Sequence, residues 1–289
     1  PRSAIKPIQA LPLIESGAAD RFAMTSEEMA LACASHSGEP EHVATVAGLL
    51  ARIGLSDRDL ECGAHLPYHA PSAHALIRAG EAPLALHNNC SGKHTAMLAT
   101  ARHLGEPTKG YIAPEHPVQR RVVRVFEEMC GLALDQAPRG TDGCGLPQIG
   151  IPLEALARGM ARFGTPDRLE PARAAACRRL VEAMIKAPNM VAGSGRFCTR
   201  ALEIAGGKAV LKGGAEGMYM AAIPASGIGI AIKVEDGAGR AAEVTMAALL
   251  LRYAGLDEEQ RKRLEALASP AIQNVAGKKV GEIVSATGF

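Results

Sequence analysis

From about residue 3 to 205 apolar residues recur at intervals of three and four, the spacing of helices with one buried face. "TSEEMALACASHSG" (25–38) offers Thr25 or Ser26 as N-cap, acidic residues in the first turn and Gly38 as a stop. "EHVATVAGLLARIG", "SGKHTAMLATARHLG", "HPVQRRVVRVFEEMCG", "IPLEALARGMARFG" and "PARAAACRRLVEAMIKAP" follow the same grammar. Near residue 206 the pattern changes to short Val- and Ile-rich runs bounded by glycine: "KAVLKGG", "GMYMAAIPASG" and "IGIAIKVEDG". These predict an antiparallel meander. Two further helices, "RAAEVTMAALLLRYAG" and "DEEQRKRLEALAS", lead to a last strand in "KKVGEIVSA".

Helices grouped early and strands grouped late predict an α+β protein, with a helical lobe over about residues 3–205 and sheet plus C-terminal helices over about 206–289. Three or four strands make a narrow sheet, and strands ahead of Pro1 are expected to complete it. The chain opens without methionine, which fits a trimmed N-terminus.

Composition narrows the function. The formal net charge is +2 and aromatic residues make up 3% with no Trp, so neither a polyanion nor a stacked base is an expected ligand. Seven cysteines are scattered without Cys-x-x-Cys pairs, the pattern of a reducing, cytoplasmic compartment. No run of 18 apolar residues and no signal-type N-terminus is present, so no membrane role is expected. With no phosphate-binding glycine loop after a strand, no nucleotide cofactor is expected.

Five stretches can carry chemistry, each with a plainer reading beside it. Ser3 and Lys6 stand at i and i+3, where a lysine amine with a lowered pKa can take a serine proton; no other serine has lysine three residues on. The same spacing also arises at a solvated helix start, and Pro7 demands that the helix has barely begun. "CASHSGEPEH" (33–42) gathers Ser35, His36, Ser37, Glu39 and His42 at a helix end, as proton-transfer groups or as a capping turn. "LHNNCSGKH" (86–94) runs a loop with Cys90 into a helix N-terminus, a place for an activated thiol or for an N-cap and a buried cysteine. "GTDGCGLP" (140–147) carries Asp142 and Cys144 on a glycine turn between helices. "VLKGGAEG" (210–217) ends a strand at Lys212 and follows it with glycines that admit a ligand or another backbone.

In this order, "RSAIKPIQALPL", "LACASHSGEPEH", "LHNNCSGKH", "TDGCGLP", "AGSGRFCT" and "LKGGAEG" resemble the rhizobial-type, class 3 L-asparaginases of the asparaginase II family. The resemblance runs the length of the chain and implies a single domain over residues 1–289. It implies a serine β-lactamase-like fold, a homodimer, and hydrolysis of L-asparagine to aspartate and ammonia. By matching motif it assigns Ser3 and Lys6 to one serine–lysine tandem and Ser35 and Lys212 to a second. Cys90, Lys93 and Cys144 fall on the family's zinc ligands, and Asp142 on the residue that holds the substrate's α-amino group. Cys198 matches a further cysteine near the site, with no role assigned. Two alternatives stay open: another serine acyl hydrolase of the penicillin-recognising fold, and a non-catalytic zinc- or thiol-sensing protein built on Cys90 and Cys144.

Overall fold

The computed structural model describes residues 1–286. Its main sheet is three-stranded and antiparallel in the order β3 (Val210–Gly214), β4 (Met218–Ile223), β5 (Ile228–Lys233). The meander expected from the glycine-bounded runs is therefore present. All six residues of β4 are buried, and since successive side chains point to opposite faces, both faces of the sheet are covered. The helix Leu153–Gly164 packs across β4 and β5 at a distance that only small residues allow. A Cβ on Gly229 would lie 1.9 Å from the Ala157 carbonyl oxygen, and one on Gly164 would lie 2.6 Å from Ala222 Cβ.

The lobe before the sheet is helical almost throughout, with one departure. The "GTDGCGLP" turn does not link helices directly. It closes a two-stranded hairpin of β1 (Arg139–Thr141) and β2 (Pro147–Ile149), whose flanking residues are too few and too extended to show a helical period. The last strand, β7 (Lys279–Glu282), pairs with β6 (Ala271–Gln273) in a separate exposed hairpin and not with the main sheet.

Two local expectations are met in detail. Thr25 caps the helix Ser26–Ala32, accepting the Glu28 N–H while the Glu28 carboxylate accepts the Thr25 N–H. Pro7 is the second residue of the short helix Lys6–Gln9, where its missing N–H costs no helical bond. The helix Ser26–Ala32 ends six residues before Gly38. Beyond Ala34 the backbone turns to other segments: Ser35 N–H donates to Val191 O at 3.0 Å and His36 N–H to Asn89 O at 3.1 Å.

The N-terminal turn Arg2–Ile5 lies against β3. A Cβ on Gly214 would come within 2.8 Å of the Ala4 nitrogen and 3.0 Å of the Ser3 nitrogen, and a Cβ on Gly213 within 2.6 Å of the Tyr219 ring. The paired glycines after Lys212 thus let the backbone carrying Ser3 and Lys6 lie beside the strand.

Candidate active site

Four segments far apart in sequence meet at this contact. The turn Arg2–Ile5 and the helix it opens bring Ser3 and Lys6. The extended stretch after Ala32 brings Ser35, the helix Ser91–His103 brings Cys90 and Lys93 at its start, and β3 brings Lys212. The turn of the β1–β2 hairpin adds Asp142 and Cys144. Together they bound a cavity of about 420 Å³ onto which Ser3, Ser35, Cys90, Asp142, Cys144 and Lys212 open. Lys6 and Lys93 lie behind this wall, 1% and 3% exposed.

Ser35 is the hub. Its Oγ receives a hydrogen bond from Lys6 Nζ at 2.9 Å and another from Lys212 Nζ at 3.0 Å. Lys6 also donates to the Ala34 carbonyl and to Cys90 Sγ at 3.1 Å, and Lys212 to the Gly213 carbonyl. Both amines are almost wholly buried, and burial lowers the pKa of each because the charged form loses its hydration. Lys212 is brought down to about 7. Ser3 is half-buried and shares a turn with Lys6, whose N–H donates to the Ser3 carbonyl. Lys6 directs its amine at Ser35, however, so the pairing seen is Lys6–Ser35–Lys212, with Ser3 beside it on the cavity wall.

The stretch around Ser35 is held by its histidine. Gly38 N–H donates to His36 Nδ1 at 3.1 Å, so the proton of the ring is on Nε2, which reaches Ser91 Oγ at 2.8 Å. Ser91 Oγ in turn donates to the Leu86 carbonyl at 3.0 Å. Burial keeps His36 neutral. The histidine-rich "CASHSGEPEH" is a strap that fixes Ser35 against the start of the helix Ser91–His103, a role periodicity does not reveal.

The second group is sulfur-rich. Cys90, Asp142 and Cys144 offer ligand atoms that all lie within 4.8 Å of one another. Lys93 Nζ donates to Cys144 Sγ at 3.3 Å. Asn88 Oδ1 accepts the Cys90 N–H at 2.8 Å and fixes the loop ahead of the helix. The Cys90 thiol is pulled well down by a hydrogen bond from the Cys144 thiol and by the Lys6 and Lys93 charges, whereas that same bond and burial push Cys144 up. Burial works against the charged form of Lys93, but the two thiols and Asp142 outweigh it and raise its pKa. Asp142 is likewise opposed by burial and held below its ordinary value by Lys93, the Gly143 N–H and Arg2.

Arg2 itself donates through Nε to Asp142 at 3.0 Å and through Nη1 to Glu216 at 3.4 Å. It has a left-handed φ of 51°, a strained conformation directly before Ser3. Arg196, Tyr219 and Glu243 also stand on the cavity rim. Sequence reasoning passed over these four, since an isolated arginine, tyrosine or glutamate carries no local pattern. Cys198 accepts the Gly213 N–H at 3.2 Å and so anchors β3 beside the site.

Paired serine and lysine groups, next to a thiol and carboxylate cluster in a polar cavity, are the equipment of a hydrolytic enzyme. The chain matches the model of the L-asparaginase II family over residues 1–285, and it belongs to that family. It is an amidohydrolase acting on L-asparagine. Comparison with curated proteins gives no match. Among the described residues no helix is long and apolar enough to cross a membrane.

Proposed function

We propose that this chain hydrolyses the side-chain amide of L-asparagine by acyl transfer through a serine. The observation that carries the reading is the convergence of two buried, pKa-lowered amines on one hydroxyl, in a cavity that presents a second serine on the same wall. Ser3 Oγ attacks the amide carbon, and its proton passes to the Lys6–Ser35–Lys212 group. The C–N bond breaks and nitrogen leaves as ammonia after taking up a proton from that group. Water then attacks the aspartyl ester, the C–Oγ bond breaks and Ser3 recovers its proton. Lysines whose pKa is lowered by burial are suited to each of these transfers. Asp142 receives the α-amino group of the substrate.

The convergence of both amines on Ser35 favours a second reading, in which Ser35 is the nucleophile and Ser3 the relay. Ammonia release from L-asparagine by Ser3→Ala and Ser35→Ala, with mass spectrometry for a trapped aspartyl ester, separates the two. An ester on Ser35, with turnover retained by Ser3→Ala, would remove Ser3 from the nucleophile role.

Cys90, Lys93 and Cys144 fit a zinc ion in the chemistry of their donors: two thiols and an amine converge, with a carboxylate adjacent, all nearly buried. Bound there, the ion would orient the substrate and not generate hydroxide, since thiolate and amine ligands weaken its Lewis acidity. The tandem at a helix start beside the edge strand bearing Lys212 supports a serine β-lactamase-like fold. A homodimer is proposed on the family resemblance, and a cytoplasmic location is supported by seven free cysteines, all buried.

A further inference from the structure

An asparaginase must tell a free amino acid from the same side chain inside a peptide, and the group that differs is the α-carboxylate. A cavity that accepts this group needs a cation not already neutralised by the protein. Of the two arginines on the rim, Arg2 is spoken for: its guanidinium is shared between Asp142 at 3.0 Å and Glu216 at 3.4 Å. Arg196 has no ion pair among the described residues, and its side chain makes a single long hydrogen bond, 3.5 Å to Ser37 Oγ. Although exposed, it stands on a firmly held loop. Glu39, itself buried, accepts the Ser194 N–H at 2.7 Å and the Ser194 hydroxyl at 2.8 Å. Ser37 Oγ donates to Ala192 O at 2.9 Å, and Thr199 Oγ1 to Gly193 O at 2.7 Å. Gly193 is required there, having a φ of 119° and no room for a Cβ, which would come within 2.6 Å of Ser37 Oγ and 2.5 Å of Glu39.

Arg196 is also the N-cap of the helix Phe197–Ala205, and Cys198 in the first turn of that helix lines the cavity, so the positive end of the helix lies at the cavity wall. A carboxyl on the same rim, Glu243, receives the Tyr219 hydroxyl at 3.2 Å. Burial raises its pKa, while the Tyr219 bond and the Arg196 charge act to lower it.

We infer that Arg196 binds the α-carboxylate of the substrate, opposite Asp142, and so restricts the enzyme to free asparagine. This rests on the asparaginase reading of the site. The test compares L-asparagine with its α-N-methylamide, which keeps the side chain and the ammonium, lacks the carboxylate, and yields ammonia only from the side chain. In Arg196→Gln the KM for L-asparagine rises about tenfold to a hundredfold, the value of a charge-assisted hydrogen bond, while kcat stays within about threefold. The KM for the methylamide does not change, and Arg196→Lys recovers part of the loss for L-asparagine alone. An active wild type with an unchanged KM in Arg196→Gln would overturn the assignment and leave the asparaginase reading intact. Equal losses on both substrates would also overturn it, since they would mark a structural role. A wild type that releases no ammonia from L-asparagine would instead sink the underlying reading, and the assignment with it.

Discussion

Replacing Lys212 by methionine removes an amine while keeping nearly the same volume in a side chain that is 1% exposed. Burial brings this lysine from its ordinary 10.5 to about 7, a difference of about 3.5, and at 1.36 kcal/mol each this is a cost to the folded state of roughly 5 kcal/mol when the unfolded chain is fully charged. The substitution removes that cost. Ser35 keeps its bond from Lys6, but the Gly213 carbonyl loses a donor, worth about 1–3 kcal/mol. The net expectation is a variant more stable than the parent by roughly 2–4 kcal/mol at pH 6, or about 4–8 °C in Tm.

The pH dependence supplies the discriminating test. Between about pH 7 and 10.5 the unfolded chain binds more protons at this residue than the folded one, so the parent gains stability as pH rises through this window. The burial cost is fully present below 7 and gone above 10.5. Differential scanning calorimetry at pH 6 and pH 9.5 should therefore show the advantage of Lys212→Met falling to about zero or reversing, since about 1.4 kcal/mol of the cost is left at pH 9.5 against the bond lost. Activity should move the other way. The variant loses a proton carrier and about 10²–10⁴ in kcat, measured by ammonia release, and the parent's rate rises with pH through about 7 as Lys212 becomes neutral. An advantage that stays constant with pH, or a variant with parental kcat, would refute the argument that this lysine is buried at a cost for its chemistry.

Ser3→Ala is expected to lower kcat at least about a thousandfold with little change in Tm, as ammonia assay and calorimetry would show, because Ser3 Oγ packs against a cavity and not in the core. Gly92→Ala tests the packing of two helices: its Cβ would sit 2.4 Å from the Leu31 carbonyl oxygen, where only backbone can give way. It should cost about 1–3 kcal/mol, read as a lower urea midpoint. Zinc should bind at about one equivalent, and Cys144→Ser should weaken it at least tenfold in a competition titration, with a raised KM for L-asparagine after metal removal.

Much of the local structure was legible in the chain. Thr25 with Glu28, Pro7 just inside a helix start and the glycine-bounded strands from Val210 to Lys233 all behave as their neighbours dictate, because caps and turns are settled by bonds a few residues long. The β1–β2 hairpin and the separation of β7 from the main sheet were not legible. Strands of three and four residues carry too little pattern, and their partners are chosen by packing elsewhere.

The candidate site divides in the same way. Residue order and type, with the spacing of Ser3 to Lys6 and of Cys90 to Lys93, determined which groups were available and which family they fit. Which lysine serves which hydroxyl was decided only in three dimensions, where Lys6 turns from its neighbour Ser3 to Ser35 and Lys212 arrives from β3. So was the lowered pKa of both amines, and so was the lack of an ion pair to Arg196, among the described residues, beside the paired Arg2. The physical reason is that burial and charge act through space: they depend on which segments the glycines at 213 and 214 allow to touch, and no distance along the chain encodes that.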